Sequence, residues 1–273
     1  MNQRLYALID EDLRSNKLTL PSLPCSALQI RAEIESENSD VSKIARLLTE
    51  DLALVAGVMQ VANSPLFQTT EPCQSIEGAI RRLGFSYVKS LVFSLSISQL
   101  FTPSEALLRN RFGLLKYYSA KTAAYSYAIA GLFTDLNPET AHLIGLVHDI
   151  GVLPILTYVE KMPALIQDEE LLNEFIKETK LGLTLRVLRR WSFPEVVLDA
   201  VASQSIDPNK LREKDYPLVL ATSHILANND IAHDEPPSFG KEGVLCSRLS
   251  DLDKDTLRDM IKEKAEIVRP LFT

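Results

Sequence analysis

Gly145-Leu146-Val147-His148-Asp149-Ile150-Gly151 puts an adjacent His–Asp pair at the end of an apolar segment, closed by glycine. Upstream, Asn137-Pro138-Glu139 reads as a helix start: an N-cap residue, proline at the first helical position and an acid in the first turn. The helix so opened carries Leu143, Ile144, Val147 and His148 and should stop near Gly151. Imidazole and carboxylate are both metal-ligand types. Consecutive helical side chains point about 100° apart, so the two would share bridged metals only if other helices added ligands from outside. The simpler role for such a pair is to satisfy buried backbone groups near a helix end.

The same punctuation recurs along the chain. Asp40 caps a Val41, Ile44, Ala45, Leu48 stripe, and a second helix is predicted from Asp51 to Ala62, ending at Asn63-Ser64-Pro65. Ser75 caps Ile76, Ala79, Ile80 and Leu83, with Gly84 as the stop, and Ser86 opens another helix through Leu91 and Leu95. From Ala106 to Phe133 there is no proline and little glycine, which predicts one long helix or two abutting ones. Further helices are predicted from about Glu169, Leu181, Pro194, Tyr216 and Asp253, and Asn228 to Lys241 reads as a long surface loop. No strand alternation and no Asn-Gly or Asp-Gly hairpin turn stands out, so the fold class is all-α. The 273 residues read as a single unit, with a lobe of short helices over about 1–103 and a longer-helix lobe over about 104–273, parted near Pro103.

Composition narrows the function classes. With 46% hydrophobic and 24% charged residues the chain is ordinary for a soluble globular protein and long enough to bury its own core. The first residues, MNQRLYALIDEDLRSNK, carry acids within their apolar stretch, unlike a signal peptide, and apolar runs such as Leu91 to Leu100 are too short to span a bilayer. Cys25, Cys73 and Cys246 fit neither a disulfide framework nor a CxxC site and read as buried, reduced thiols, which points to the cytoplasm. A net charge of −7 disfavours nucleic acid as partner, and Arg186, Arg189 and Arg190 read mainly as a solvated helix face. The chain has no P-loop, GxGxxG or GxSxG motif. His142 lies six residues before His148, about 240° round the helix, and should not converge with it. His233 falls in the Pro-rich loop and reads as solvated, while Trp191, Phe193 and Pro194 read as packing at a helix junction. Tyr117, Tyr118, Tyr125 and Tyr127 either line a pocket or pack a core.

Five separated blocks carry a specific resemblance: Leu20-Pro21-Ser22-Leu23-Pro24; the Asp51 helix leading to Val61-Ala62-Asn63-Ser64-Pro65-Leu66-Phe67; Ser75 to Gly84; the Gly145 to Gly151 stretch; and Arg189-Arg190-Trp191-Ser192-Phe193-Pro194-Glu195. In this order the chain resembles the HDOD family, the HD-related output domain of bacterial signalling proteins, over roughly Leu18 to Asn228. The resemblance implies a multi-helix HD-like architecture shared with HD-domain metal phosphohydrolases. It also implies a regulatory role in which metal ligands have been lost.

Carried over residue by residue, the resemblance keeps His148 and Asp149. The first histidine ligand of the active enzymes matches Lys116-Tyr117-Tyr118-Ser119, most plausibly Tyr118, whose neutral phenol is a poor ligand for divalent metals. A closing aspartate is expected on the helix from Tyr216, which offers His224 and Asn228 and no carboxylate before Asp230; the choice between these two stays open. Where many relatives carry a His pair, this chain reads Gln204-Ser205. Two of four ligands remain, so a dinuclear centre is not expected, no cofactor is assigned, and any single metal would sit on His148, Asp149 and His224. The leading expectation is a regulatory module that docks a signalling protein or binds a small ligand, such as a nucleotide, in a cleft around Tyr118, His148, Asp149, His224, Lys116 and Lys121. The alternatives are a phosphohydrolase with an altered ligand set and a scaffold without ligand.

Overall fold

A computed structural model describes residues 24–64, 71–99, 106–160 and 168–229, with isolated positions at 11, 67, 162, 259, 260 and 263. The expectations for the 20–23 block, the Pro103 boundary, His233, most of the 228–241 loop, Cys246 and the helix from Asp253 lie outside these residues. The fold is all-α: the described residues contain helices, turns and bends, and no strand.

Among the described residues, five helices of eight residues or more precede residue 100. They are α1 (Cys25–Ile34), α2 (Val41–Leu48), α3 (Leu52–Ala62), α4 (Ile76–Leu83) and α5 (Phe85–Gln99). Their starts follow local chemistry. Asp40 accepts from the Ser42 amide, Asp51 from Ala53 and Leu54, and Ser75 from Gly78, each satisfying amides that a helix start leaves unpaired. Gly84 ends α4 at φ +80°, a conformation open to glycine at no steric cost. Asn63 pairs its side-chain amide with both backbone groups of Cys73, and Arg82 donates to the carbonyls of Ala62 and Glu71, so the connection from α3 to α4 is closed by side chains.

Six more helices of eight residues or more follow among the described residues. α6 (Ala106–Phe133) is one unbroken helix, and Thr134 to Asn137 turn the chain back into α7 (Pro138–Val147). A turn at 148–151 leads to α8 (Val152–Val159), then α9 (Glu169–Arg190), α10 (Glu195–Ala202), two short 3₁₀ turns at 203–205 and 208–210, and α11 (Tyr216–Asn229). The helix start expected at Leu181 does not occur. Leu181 and Gly182 lie inside α9, whose buried Phe175, Leu183, Val187 and Leu188 hold one continuous face. Tertiary packing here overrides the helix-breaking tendency of Gly182.

α6 stands between two cores. One face gives Ala124, Ala128 and Ile129 to a cluster built from α1 to α5 and from Leu218, Val219 and Leu226 of α11. The other gives Leu108, Phe112 and Ala123 to a cluster built from α7 to α10, which Phe93 of α5 also enters. The run Pro138–Val159 is long and apolar enough to cross a membrane, but 83% of its most apolar window is buried inside the fold, where it forms the second core. Trp191 and Phe193 pack in that core too.

One side chain ties the first helices to the end of α9. At Ser192 the backbone is left-handed, φ +53°. The Ser192 amide donates to Arg189 O and the Phe193 amide to Leu188 O, a Schellman closure with serine where glycine is usual. The carbonyls of Trp191 and Ser192 are taken by Arg31 of α1, at 2.7 and 2.6 Å, while its guanidinium lies near the Phe93 and Phe193 rings.

Two glycines fix how closely the helices around 148–151 approach. A Cβ on Gly145 would sit 2.7 Å from Ala123 Cα and 2.9 Å from its nitrogen. A Cβ on Gly151 would run into Thr184 N and Lys180 O. Neither neighbour is a flexible side-chain tip, so the helices must part if a methyl group is added. Gly145→Ala should therefore lower stability by about 3 kcal/mol, as overpacking of a tight core does. Gly182→Ala, where a Cβ meets nothing within 4 Å, should raise stability by about 0.5–1 kcal/mol. Chemical denaturation of the two variants tests the pair, and equal effects at both positions would refute the backbone contact.

Candidate functional site

The chain breaks helix at His148. α7 ends at Val147, His148 takes the C-cap position, and the amides of Ile150, Val152 and Leu153 bond back to Val147, Asp149 and Ile150. The carbonyl of His148 accepts from Gln204 Nε2 at 3.0 Å, and the Gly151 amide donates to Thr184 Oγ1 at 2.9 Å. The groups freed by the break are thus paired by α9 and by the first 3₁₀ turn. Gln204 stands where a histidine pair would be expected, and its role here is to hold the turn.

Hydrogen bonding dictates the protonation of His148. Its Nδ1 lies 2.7 Å from the Gly145 carbonyl, which can only accept, so Nδ1 carries the proton. Burial pushes its pKa below the ordinary value, so the ring is neutral at neutral pH and Nε2 is a lone pair. Nδ1 of His224 lies 3.2 Å from that lone pair and must donate to it. Burial and the facing His148 ring lower the His224 pKa to about 4, so its own Nε2 is also unprotonated. The two histidines form a directed chain running from His224 through His148 to a backbone carbonyl.

Asp149 is answered by a lysine. Its Oδ2 accepts from Lys180 Nζ at 2.7 Å and lies 3.7 Å from His148 Nε2. The Asp149 side chain is 15% exposed and that of Lys180 27%. Burial alone would raise the Asp149 pKa, but His148, then Lys180 with its hydrogen bond, and His224 outweigh it and hold the carboxyl below its ordinary value. With both histidines neutral, Lys180 is the partner that keeps this carboxylate ionised.

The structure brings His148, Asp149 and His224 together, and places Asn228 on the surface. A cavity of about 440 Å³ opens beside His224 and Lys180, walled by α9, the 203–205 turn and α11. Tyr118, Lys116 and Lys121 do not line it. Tyr118 is half-buried with its ring against Tyr117, exposed Lys116 lies over Phe112, and buried Lys121 lies near the Tyr117 and Tyr125 rings. All three follow α6, whose face toward the His–Asp turn is occupied by the close approach at Ala123. The residue that sequence reasoning missed is Lys180. The one signal for it was general: a buried carboxylate needs a cation.

Cys25 also departs from expectation, being exposed; Cys73 is partly buried with Sγ 3.3 Å from Ser75 O. His142 is buried with its ring beside those of Tyr87 and Tyr127.

An HDOD domain model matches residues 20–206. The chain belongs to the HDOD family. This is a signalling-associated HD-like fold, related to the HD phosphohydrolases. Among solved structures, the chain is similar to a protein from Shewanella amazonensis provisionally named a metal-dependent phosphohydrolase, with 22% identity, 100% of this chain and 99% of that one covered, and a TM-score of 0.86. It is also similar to an HDOD domain protein of unknown function from Geobacter sulfurreducens, with 20% identity, 93% of each chain covered and a TM-score of 0.64. A provisionally named signal transduction protein from Marinobacter aquaeolei shares 18% identity over 94% of this chain and 60% of its own, with a TM-score of 0.66. At these identities the likeness is one of fold. By sequence, an uncharacterized protein of Treponema pallidum is 25% identical over 192 residues, and the match spans 67% of this chain and 37% of that relative's length.

Does this HDOD site fit the metals that HD enzymes carry? Two ions need more than the one carboxylate and two imidazoles assembled here. Among the described residues, no group of three or more His, Cys, Asp and Glu is arranged as a metal cage. The His148 lone pair is spent on His224, and the Asp149 charge is spent on Lys180. The arrangement does not fit a dinuclear centre.

The buried histidines make stability depend on pH. Unfolding returns His142 from about 3, and His224 from about 4, to the ordinary value of 6.5, so the unfolded chain takes up protons that the fold refuses. Their stabilising contribution is complete above pH 6.5 and is lost as the pH falls from there toward those folded values, at up to about 1.4 kcal/mol per pH unit for each group. Urea midpoints should fall between pH 7.5 and pH 5, and less steeply in His142→Leu; a midpoint flat over that range would contradict the assignment.

Proposed function

We propose that this HDOD protein is a non-catalytic signalling module that works by binding, with a degenerate HD metal site. The observation that carries the reading is the Lys180 ammonium 2.7 Å from Asp149 Oδ2, on the one carboxylate that joins the two histidines. A fixed cation there repels a dication and discharges the ligand that would hold it. The hydrogen bond between His148 and His224 supports the same reading, since it turns two potential ligands into partners of each other. In this role the module takes a small ligand in the cavity beside His224 or docks a signalling protein. It acts in the cytoplasm, without nucleic acid as a partner.

A second reading has one observation in its favour. His148 Nε2 lies 3.2 Å from His224 Nδ1 and 3.7 Å from Asp149 Oδ2, two pairwise separations that ligands about 2.1 Å from one shared ion would also show, although the three are not arranged as a metal cage. Asp149 Oδ1 is buried without a hydrogen-bond partner among the described residues and would accept a cation. A single-ion phosphohydrolase on His148, Asp149 and His224 would use these atoms, with Lys180 displaced.

Elemental analysis separates the two. The first reading expects the purified protein to carry less than about 0.1 equivalents of Fe, Mn or Zn and to show no turnover of phosphoesters after metal is added. Lys180→Met should destabilise the fold by about 1–3 kcal/mol, because Asp149 loses its counter-charge, and Asp149→Asn in the same chain should restore most of that loss. About one metal per chain, with phosphoester hydrolysis abolished by His148→Ala, would establish the second reading instead.

A further inference from the structure

We infer that the cavity between α9, the 203–205 turn and α11 is a binding site for a small organic anion that also bears an N–H or O–H donor. The inference rests on the metal-free reading of the His148–His224 pair and goes further, by specifying what the pocket recognises.

The specification comes from what each polar group has left to offer. His224 lines the cavity with Nδ1 committed to His148, and Nε2 has no hydrogen-bond partner among the described residues. On a neutral ring that nitrogen can only accept. Gln204 also lines the cavity. Its amide nitrogen is committed to the His148 carbonyl, so Oε1, another acceptor, is the atom left for a ligand. Two acceptors side by side require a donor from whatever binds. Were the occupant a bare anion such as sulfate, both would face negative charge.

The anionic half of the ligand follows from α9. Lys177 and Lys180 lie one turn apart and both line the cavity. Lys180 keeps N–H groups beyond the one given to Asp149, and Lys177 has no ion pair or hydrogen bond among the described residues. Asp149 balances Lys180, so the Lys177 ammonium is the cation left to meet an anion, and Glu178 supplies one negative charge at the rim. Leu181, Leu211, Leu220 and Ile225 supply an apolar wall for the body of the molecule. At about 440 Å³ the space suits a molecule the size of a ring with an acidic substituent.

Ligand-observed NMR and calorimetry on the full chain test this with paired probes. Orotate, uridine 5′-monophosphate and mandelate are each compared with the analogue whose N–H or O–H is methylated, and sulfate serves as the donorless anion. At least one parent probe should bind in the millimolar range or tighter, with about tenfold weaker binding of its methylated partner and none of sulfate. Lys177→Ala, at an exposed position that cannot unfold the protein, should weaken the parent about threefold or more, and His224→Phe should remove the preference for the donor. Equal binding of parent and methylated probes, binding unaffected by Lys177→Ala, or no binding of any probe at 5 mM overturns the inference. Metal analysis of the same sample keeps the outcomes apart. A metal-free protein that binds no probe refutes the pocket alone, whereas a metal-loaded protein refutes the reading beneath it.

Discussion

Two backbone contacts hold the rest of the site in place. Gly145 lies against the Ala123 backbone of α6, and Gly151 against the Lys180–Thr184 stretch of α9. Between them the α-helix gives way to a turn, in which the amides of Ile150, Val152 and Leu153 bond three residues back. The turn frees carbonyl and amide groups that a continuous helix would have paired. It exposes them to Gln204 and Thr184, which fix its shape. His148 and Asp149 lie in the one segment of α7–α8 where consecutive side chains leave the helical screw. That is how neighbours in sequence reach separate partners on α11 and α9.

The same approach decides the charge balance. Because Gly151 lets α9 come within backbone contact, Lys180, whose own carbonyl lies against Gly151, delivers its ammonium to Asp149. A carboxylate in this environment needs a counter-charge whatever its source. In a metalloenzyme that charge is an ion, which can bind water and substrate. An ammonium satisfies the same electrostatic demand, but it offers only N–H donors and no open coordination position. The histidines change character in step. His224 Nδ1 donates to His148 Nε2, and the acceptor character moves outward to the His224 nitrogen facing the cavity.

Much of the fold was legible because its determinants are local. Asp40, Asp51, Ser75 and Asn137 cap helices whose starts could be placed from sequence, and Gly84 marks a stop through a backbone conformation that favours glycine. Leu181 was misplaced as a start because helix propensity at Gly182 is a weak force beside a face of buried Phe175, Leu183 and Val187. At the site, His148 and Asp149 were visible as a dipeptide. His224 and Asn228, one turn apart, could be told apart only by burial. Lys180 was out of reach, since its partner lies 31 residues away across a contact that depends on Gly151. Choosing Lys116 and Lys121 instead rested on nearness to Tyr118 along α6, where the helix had already turned their ammonium groups toward aromatic rings.

α9 is the element that joins these parts. About 33 Å of helix, from the 1.5 Å rise of each of its 22 residues, carries the cavity wall and Lys180 near its middle and the Schellman turn at its end. That turn is where Arg31 of α1 takes two carbonyls, with its guanidinium near the paired Phe93 and Phe193 rings. A left-handed serine at 192 costs the backbone some free energy, and the two charge-assisted hydrogen bonds from Arg31 offset it. The first helices are therefore fastened to the far end of the helix that holds Asp149. α9 thus runs from the cavity wall to the α1 contact, anchored by a salt bridge at one point and by an arginine at the other.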